Sequence, residues 1–428
     1  MSEQQQEIVV NRKSLSEDWV VVIMGFLVIF LSLYVFVSPV PVFSWKDGDE
    51  LLSVLSAGNI AVIGLQFVYA FIIAGLAVWM TGKSLRSFVV VFPIVSLLTV
   101  IALVFAGNST MNDLNLEAVI FSLATGLIVG NLVKLPAWFR AALSAELFVK
   151  IGLVLLGTRV IFTDILRAGG LGLLQALVVV ITVWYFAFWL CRKFKLDDEL
   201  SMMLSSAVSI CGVSAAIATA GAIKGDPKKL SYIISLVLVT AIPMMIFMPY
   251  IAHYFAFPEE VTGAWLGGSI DTTGAVVAAG TLVGDTAVKI STIVKFSQNV
   301  LLGLAAFAIS IYWTYTRKDP AGDGITAAEK PTLRLIWDRF PKFVLGFMAA
   351  SILFSFLIPA ASVAAVKDSL KSIQSLWFVL AFTSIGLETK FSDLFSSSSR
   401  KPLYAFLIAQ LFNILVTLLV AFVLFSPR

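Results

Sequence analysis

The residues of this chain that could do chemistry lie in two short runs, SICGVSAAIATAG at 209–221 and GGSIDTTGAVVAAGTLVG at 267–284. The second carries a carboxylate, Asp271, crowded by Ser269, Thr272 and Thr273, and the first sets Ser209, Cys211 and Ser214 around Gly212. Lys295 and Asn299 follow, four residues apart and so on one helix face, with Gln298 on a nearby turn. An acid inside an apolar segment costs about 2.5–3.5 kcal/mol on insertion scales and usually marks an ion or substrate path. Lys295 is its natural partner. Such a carboxylate suits ion coupling, because its charge cost changes when it takes up H⁺ or Na⁺.

The backbone of these runs matters as much as their side chains. Gly212 in one run, and Gly267, Gly268 and Gly274 in the other, permit sharp unwinding. Unwound backbone at membrane depth is tolerated only where protein or a water-filled cavity satisfies its polar groups. Each break exposes a new helix N-terminus with partial positive charge and free N–H donors. Ser209, Ser214, Ser269, Thr272 and Thr273 can cap those ends or offer hydroxyls. Two such ends meeting near the midplane make a polar pocket suited to an anion, and the opposing carbonyl ends suit a cation.

The surrounding elements are membrane spans. Of 428 residues 59% are hydrophobic and only 13% charged, against about 25% charged in soluble domains. Apolar stretches near 19–38, 62–80, 87–106, 117–133, 141–162, 171–190, 232–254, 291–314, 341–360, 373–388 and 403–425 are each read as a span. The fold class is therefore an all-α polytopic membrane protein. The first 18 residues are polar and the first apolar run is long, so no cleavable signal peptide is expected. The chain reads as a tail over 1–18, an additional span and loop over 19–61, and a transporter domain over 62–425 with a long basic loop at 315–340. Lys and Arg in alternate short loops (Arg12 and Lys13, Lys83 and Arg86, Lys134 and Arg140, Arg192 to Lys195) place the N-terminus in the cytoplasm.

Two segments, 202–222 and 264–284, interrupt this order and either cross the membrane or enter and return. Both choices end on the same side, so parity does not separate them. The charge rule favours return, which keeps Lys224, Lys228 and Lys229 inside and Glu259 and Glu260 outside.

Other motifs say less. GTRVIFTDI at 157–165 matches GLETKFSDL at 386–394 in opposite orientation, the pattern of an inverted-repeat transporter. Gly126 and Gly130 form a GxxxG packing motif, and Asn131 after them is a candidate to face the site. Glu146 and Lys150 form an i,i+4 pair that reads as structural. The chain has two cysteines, no CxxC and a single histidine, His253, at a membrane edge. Metal centres, zinc proteases and P-loop chemistry are unsupported, no cofactor is expected beyond a coupling Na⁺ or H⁺, and nothing suggests nucleic acid.

SICGVSAAIA, IGLVLLGTRV, GLIVGN and the GGSI…VVAAG segment followed by a span with a lysine resemble the bacterial sulfate exporter family. That family of inner-membrane proteins is grouped with the cation:proton antiporter and anion transporter superfamily. The resemblance covers roughly 60–425 and implies interrupted helices, elevator-like alternating access and a homodimer. By motif match it points to Ser209, Cys211, Gly212, Ser214, the 269–273 turn and Lys295. The family pattern often has a His-Asp pair where this chain has Asp271 and Thr272, and an arginine near Gln298. Their loss removes positive charge and argues against a sulfate-like dianion.

The resulting expectation is a secondary transporter, not an enzyme, for a small inorganic or sulfur-containing anion. Ser209, Cys211, Gly212, Ser214, Ser269, Thr272, Thr273, Lys295, Asn299 and Asn131 would form the solute site, with Asp271 as the ion-coupling group. The rival is a Na⁺/H⁺-type antiporter. A membrane enzyme or a sensor is a more distant alternative.

Overall fold

The computed structural model describes residues 15–113, 118–316, 337–338, 340–389 and 400–426. Most of the tail, most of the 315–340 loop and the 390–394 part of the second repeat copy lie outside the described residues. Among the described residues, nine helices are long and apolar enough to cross a membrane. In chain order the helices are α1 Glu17–Tyr34, α2 Gly48–Val54, α3 Ala57–Met80, α4 Leu85–Ala106, α5 Ser109–Asp113, α6 Ala118–Leu132, α7 Ala137–Ala142, α8 Ala145–Leu156 and α9 Phe162–Lys193. They continue as α10 Asp198–Ser206, α11 Val213–Ile223, α12 Pro227–Tyr254, α13 Glu259–Ser269, α14 Thr273–Thr281 and α15 Asp285–Thr316. The last three are α16 Lys342–Ile352, α17 Ala360–Glu388 and α18 Lys401–Phe425.

The two odd segments return to the side they enter from. Lys229, at the start of α12, pairs with Asp197 at 2.7 Å and Glu199 at 3.2 Å, both at the start of α10. Gly225 lies against Met203. The chain therefore leaves hairpin α10–α11 where it came in. Hairpin α13–α14 does the same, since Gly284 packs on the carboxylate of Glu259. Helix lengths agree. The four arms have 9, 11, 11 and 9 residues, or about 14–17 Å at 1.5 Å per residue, half of a hydrocarbon core about 30 Å thick.

The positions of the breaks have separate causes. In the first hairpin a π turn over Ala207–Cys211 ends at Gly212, whose φ of 57° and ψ of −109° suit glycine. In the second, Gly267, Gly268 and Gly274 stay helical, which corrects the expectation that they unwind. The chain is instead extended at Ile270 and Thr272. Gly267 is small so that α13 can lie on the Ser291 backbone of α15, and Gly268 so that it can lie on Gln175 of α9.

Packing sorts the helices into two groups. α9, α13, α15 and α18 pack on one another and hold both hairpins. Gln175 donates to the Ala264 carbonyl at 2.7 Å, and the Trp265 indole donates to the Ile414 carbonyl at 2.9 Å. The other group is α1, α4, α6, α8, α16 and α17, with α3 against α1 and α4. Its tightest seam is α6 on α17, where Gly126 and Gly130 meet the backbone of residues 383–387. Arg159 bridges the groups at one face, its Nη2 donating to both carboxylate oxygens of Asp285 at 3.0 and 3.1 Å. At the opposite face Lys150 gathers Asp18 at 3.0 Å, Glu17 at 3.2 Å and Glu146 at 3.4 Å. The Glu146–Lys150 pair is thus part of a larger ionic cluster joining α1 to α8.

Candidate functional site

The two hairpins enter from opposite faces and their tips meet. A Cβ added to Gly212 would lie 3.0 Å from the Cβ of Asp271. The first arm of each hairpin brings its C-terminal carbonyls to this point, the negative end of a helix dipole. Side-chain donors satisfy them. The Lys295 ammonium donates to the Ile210 carbonyl at 3.0 Å and to Gln298 Oε1 at 2.9 Å. The Gln298 amide donates to the Ser209 carbonyl at 2.9 Å and the Gly268 carbonyl at 3.3 Å. Gln410 donates to the Ser269 carbonyl at 2.9 Å, and Asn413 donates to the carbonyls of Val208 at 3.0 Å and Ser269 at 3.2 Å. Thr417 holds Asn413 through its Oδ1 at 2.9 Å. Lys295 is 1% exposed, so its charge is held at the junction of the tips.

Lys295 and Asp271, paired in the sequence reading, lie close enough for each charge to act on the other but do not form a direct salt bridge. Lys295 spends its donors on the carbonyl end of the first hairpin and on Gln298, and the two groups form no ion pair within 4.0 Å. Asp271 is 1% exposed and its Oδ2 has no hydrogen-bond partner among the described residues. Asn299 Oδ1 and Ser269 Oγ are orphaned in the same way.

The second arm of each hairpin presents its N-terminus to a cavity of about 530 Å³, within the range of small-molecule sites. Val213 and Ser214 open α11 on its wall, and Thr272, Thr273, Gly274 and Ala275 open α14. Thr272 caps α14 as expected, accepting from the Ala275 amide at 3.3 Å. Asn299 reaches Thr273 at 3.4 Å and lines the same wall, as does Cys211. From there the cavity runs between the two helix groups to the face that carries Asp18, Glu146, Lys150 and Glu388.

The structure therefore brings Cys211, Ser214, Thr272, Thr273 and Asn299 to the cavity wall. Gly212, Ser269, Asp271 and Lys295 lie behind that wall, at the junction of the tips. Ser209 contributes its carbonyl rather than its hydroxyl, because its Oγ turns back onto the Ser205 carbonyl at 2.7 Å. Asn131 is not at the site. It donates to the carbonyls of Leu127 at 2.9 Å and Thr389 at 3.0 Å, closing the end of the α6–α17 seam. Gln410, Asn413 and Thr417 were missed. Their spacing of three and four residues within the apolar run QLFNILVT places polar groups on one helix face, and that was a readable signal.

Comparison with known proteins gives a family and no fold precedent. Residues 90–405 match the family model described as Conserved hypothetical protein 698. A UPF0324 membrane protein of Rhodopirellula baltica is 39% identical over 405 residues, covering 92% of this chain and 74% of that protein. A UPF0324 membrane protein of Nitratidesulfovibrio vulgaris is 37% identical over 356 residues, covering 80% of this chain and 60% of the relative. One from Nitrosomonas europaea is 31% identical over 322 residues, covering 67% of this chain and 64% of the relative. The chain thus spans about three fifths of the length of two of these relatives. No solved structure matches.

Proposed function

The chain belongs to the Conserved hypothetical protein 698 family of membrane proteins, and we propose that it is a secondary active transporter of a small anionic solute, coupled to H⁺ or Na⁺. The observation that carries this reading is that the N-termini of α11 and α14, arriving from opposite faces, open on one cavity. Backbone N–H groups and the positive ends of two dipoles converge there on a solute-sized space. Ser214, Thr272 and Thr273 add hydroxyls to the same wall. Lys295 supplies positive charge from behind it while neutralising the carbonyl end of the first hairpin.

Asp271 is the proposed coupling group. It lies at the hairpin tips and would move with them, and the cost of its buried charge is relieved when a cation binds. The core of α9–α11, α13–α15 and α18 would slide against the other helices in an elevator-like cycle, in a bacterial inner membrane with the Lys150 face cytoplasmic. Association as a homodimer is proposed on the superfamily resemblance. An enzymatic role is not proposed, because His253, the single histidine, sits at the far end of α12 from Cys211 and Ser214.

The orphaned oxygens of Asp271 and Asn299 favour one second reading, a cation antiporter in which Na⁺ is the cargo. Proteoliposomes separate the two. An imposed pH or Na⁺ gradient should drive uptake of a sulfonate or carboxylate by the wild type, and Asp271→Asn should abolish the dependence on the gradient. Transport by Asp271→Asn with unchanged pH and sodium dependence would sink the coupling role. Na⁺/H⁺ exchange without any anion would favour the second reading.

A further inference from the structure

The cavity has two chemically opposite ends. Its deep end is built from the N-termini of α11 and α14 and attracts negative charge. Its outer end is acidic, with the carboxylates of Asp18, Glu146, Asp338 and Glu388 lining it against one ammonium, Lys150. That ammonium is already held by Asp18, Glu17 and Glu146 at 3.0, 3.2 and 3.4 Å.

Glu388, the last residue of α17, differs from the other acids. No lysine or arginine among the described residues forms a salt bridge with it, although the charge of Lys83 acts on it from further off, and the Ala145 amide orients its carboxylate. Glu146 and Glu388 line the same cavity as Cys211 and the first turns of α11 and α14, so the acidic end and the hairpin tips open on one space. Asn299, 6% exposed with its Oδ1 unpartnered, lies on the wall of the same cavity. A simple anion would satisfy the deep end and be repelled at the outer one. A simple cation would meet the reverse.

We propose that the solute is a small zwitterion, its acidic group at the first turns of α11 and α14 and its ammonium at Glu388 and Glu146. This rests on the transporter reading above and specifies the class of solute. Hydrogen bonds to charged groups are the stronger kind, so the amine contact should be visible in affinity.

The test is calorimetric binding to the purified full chain in nanodiscs, with 3-aminopropanesulfonate, propanesulfonate and propylammonium as matched probes. The aminosulfonate should bind about tenfold or more tightly than propanesulfonate, the gain of one charge-assisted contact. Glu388→Gln should erase that preference and leave propanesulfonate binding unchanged or improved. Equal or tighter binding of propanesulfonate by the wild type overturns the zwitterion and leaves the anion transporter standing. Binding of neither acid overturns both. Tightest binding of propylammonium overturns both in favour of a cation cargo. An equal loss of both acids in Glu388→Gln would make that residue structural and overturn its role. If Glu388→Gln does not fold, the wild-type preference and its response to Glu146→Gln decide the matter.

Discussion

Gly212→Ala tests the geometry on which the site depends. Gly212 has φ 57° and ψ −109°, a region that costs a residue with a Cβ about 1–3 kcal/mol. The added Cβ would also lie 2.6 Å from Val237 Cγ1 and 3.0 Å from the Cβ of Asp271. Val237 is fully buried, so its methyl has no free space to move into, and overpacking of this kind costs about 1–3 kcal/mol. The total is about 2–6 kcal/mol. Unfolding in SDS mixed micelles, followed by tryptophan fluorescence, measures it. The two contributions separate in a cycle with Val237→Ala. In that background the backbone strain and the close approach to Asp271 should remain, so the coupling between the sites reports the Val237 contact alone and should be about 1–3 kcal/mol. Gly170→Ala is the control. It lies in α9 with nothing within 4 Å of an added Cβ and should gain about 0.5–1 kcal/mol from helix propensity. The reasoning is refuted if Gly212→Ala unfolds like Gly170→Ala, because the first hairpin would then not break at this glycine.

Asn413→Leu should destabilise by about 1–3 kcal/mol in the same assay, since it removes a donor from the buried Val208 and Ser269 carbonyls. Solute binding should weaken with it as the tips lose their brace. Asp197, at the membrane edge before α10, is pushed up by partial burial, but the hydrogen bond and charge of Lys229 with the Leu200 amide outweigh this and hold its carboxyl below the ordinary value. Its contribution to stability is therefore present above the unfolded value of about 3.9 and lost as pH falls through the lower folded value. Asp197→Asn should flatten the acid limb of the unfolding profile below about pH 4. Asp285→Ala removes the ion-pair partner of Arg159 across the two helix groups. If those groups separate there during transport, Cys211 on the cavity wall should react more slowly with a thiol reagent applied from the Lys150 face in a Cys191→Ala background. An unchanged rate would remove the pair from any gating role.

Much of the fold was legible because hydropathy and loop charge are local signals. The apolar runs placed the long helices to within a turn at many of their ends, but α6 and α16, in the runs near 117–133 and 341–360 read as spans, have only 15 and 11 residues and are not among the nine helices long enough to cross. The glycines of GxxxG were read as packing and do pack, on the backbone of α17. Motif and helix-end reasoning also selected Cys211, Ser214, Thr272, Thr273 and Asn299, all of which line the cavity. Where the sequence misled, a direction in space was at issue. Asn131 follows a correct helix, but the rotation of α6 against α17 points its amide at Thr389. Lys295 was read as the partner of Asp271, yet its hydrogen bonds go to the Ile210 carbonyl and to Gln298 Oε1.

The sequence by itself determined that this is a multi-pass helical membrane protein with two interrupted segments and a buried acid. Composition and spacing along the chain carry those facts. Only the tertiary structure decided that the segments turn back. Crossing and returning both end on the same side, and contacts such as Lys229 with Asp197 and Gly284 with Glu259 tell them apart. It also decided which groups share a site, because helices entering from opposite faces bring together backbone ends that lie some sixty residues apart, at 209–213 and 269–273. A helix dipole has no direction in a sequence until packing aims it, and here packing aims two of them into one cavity.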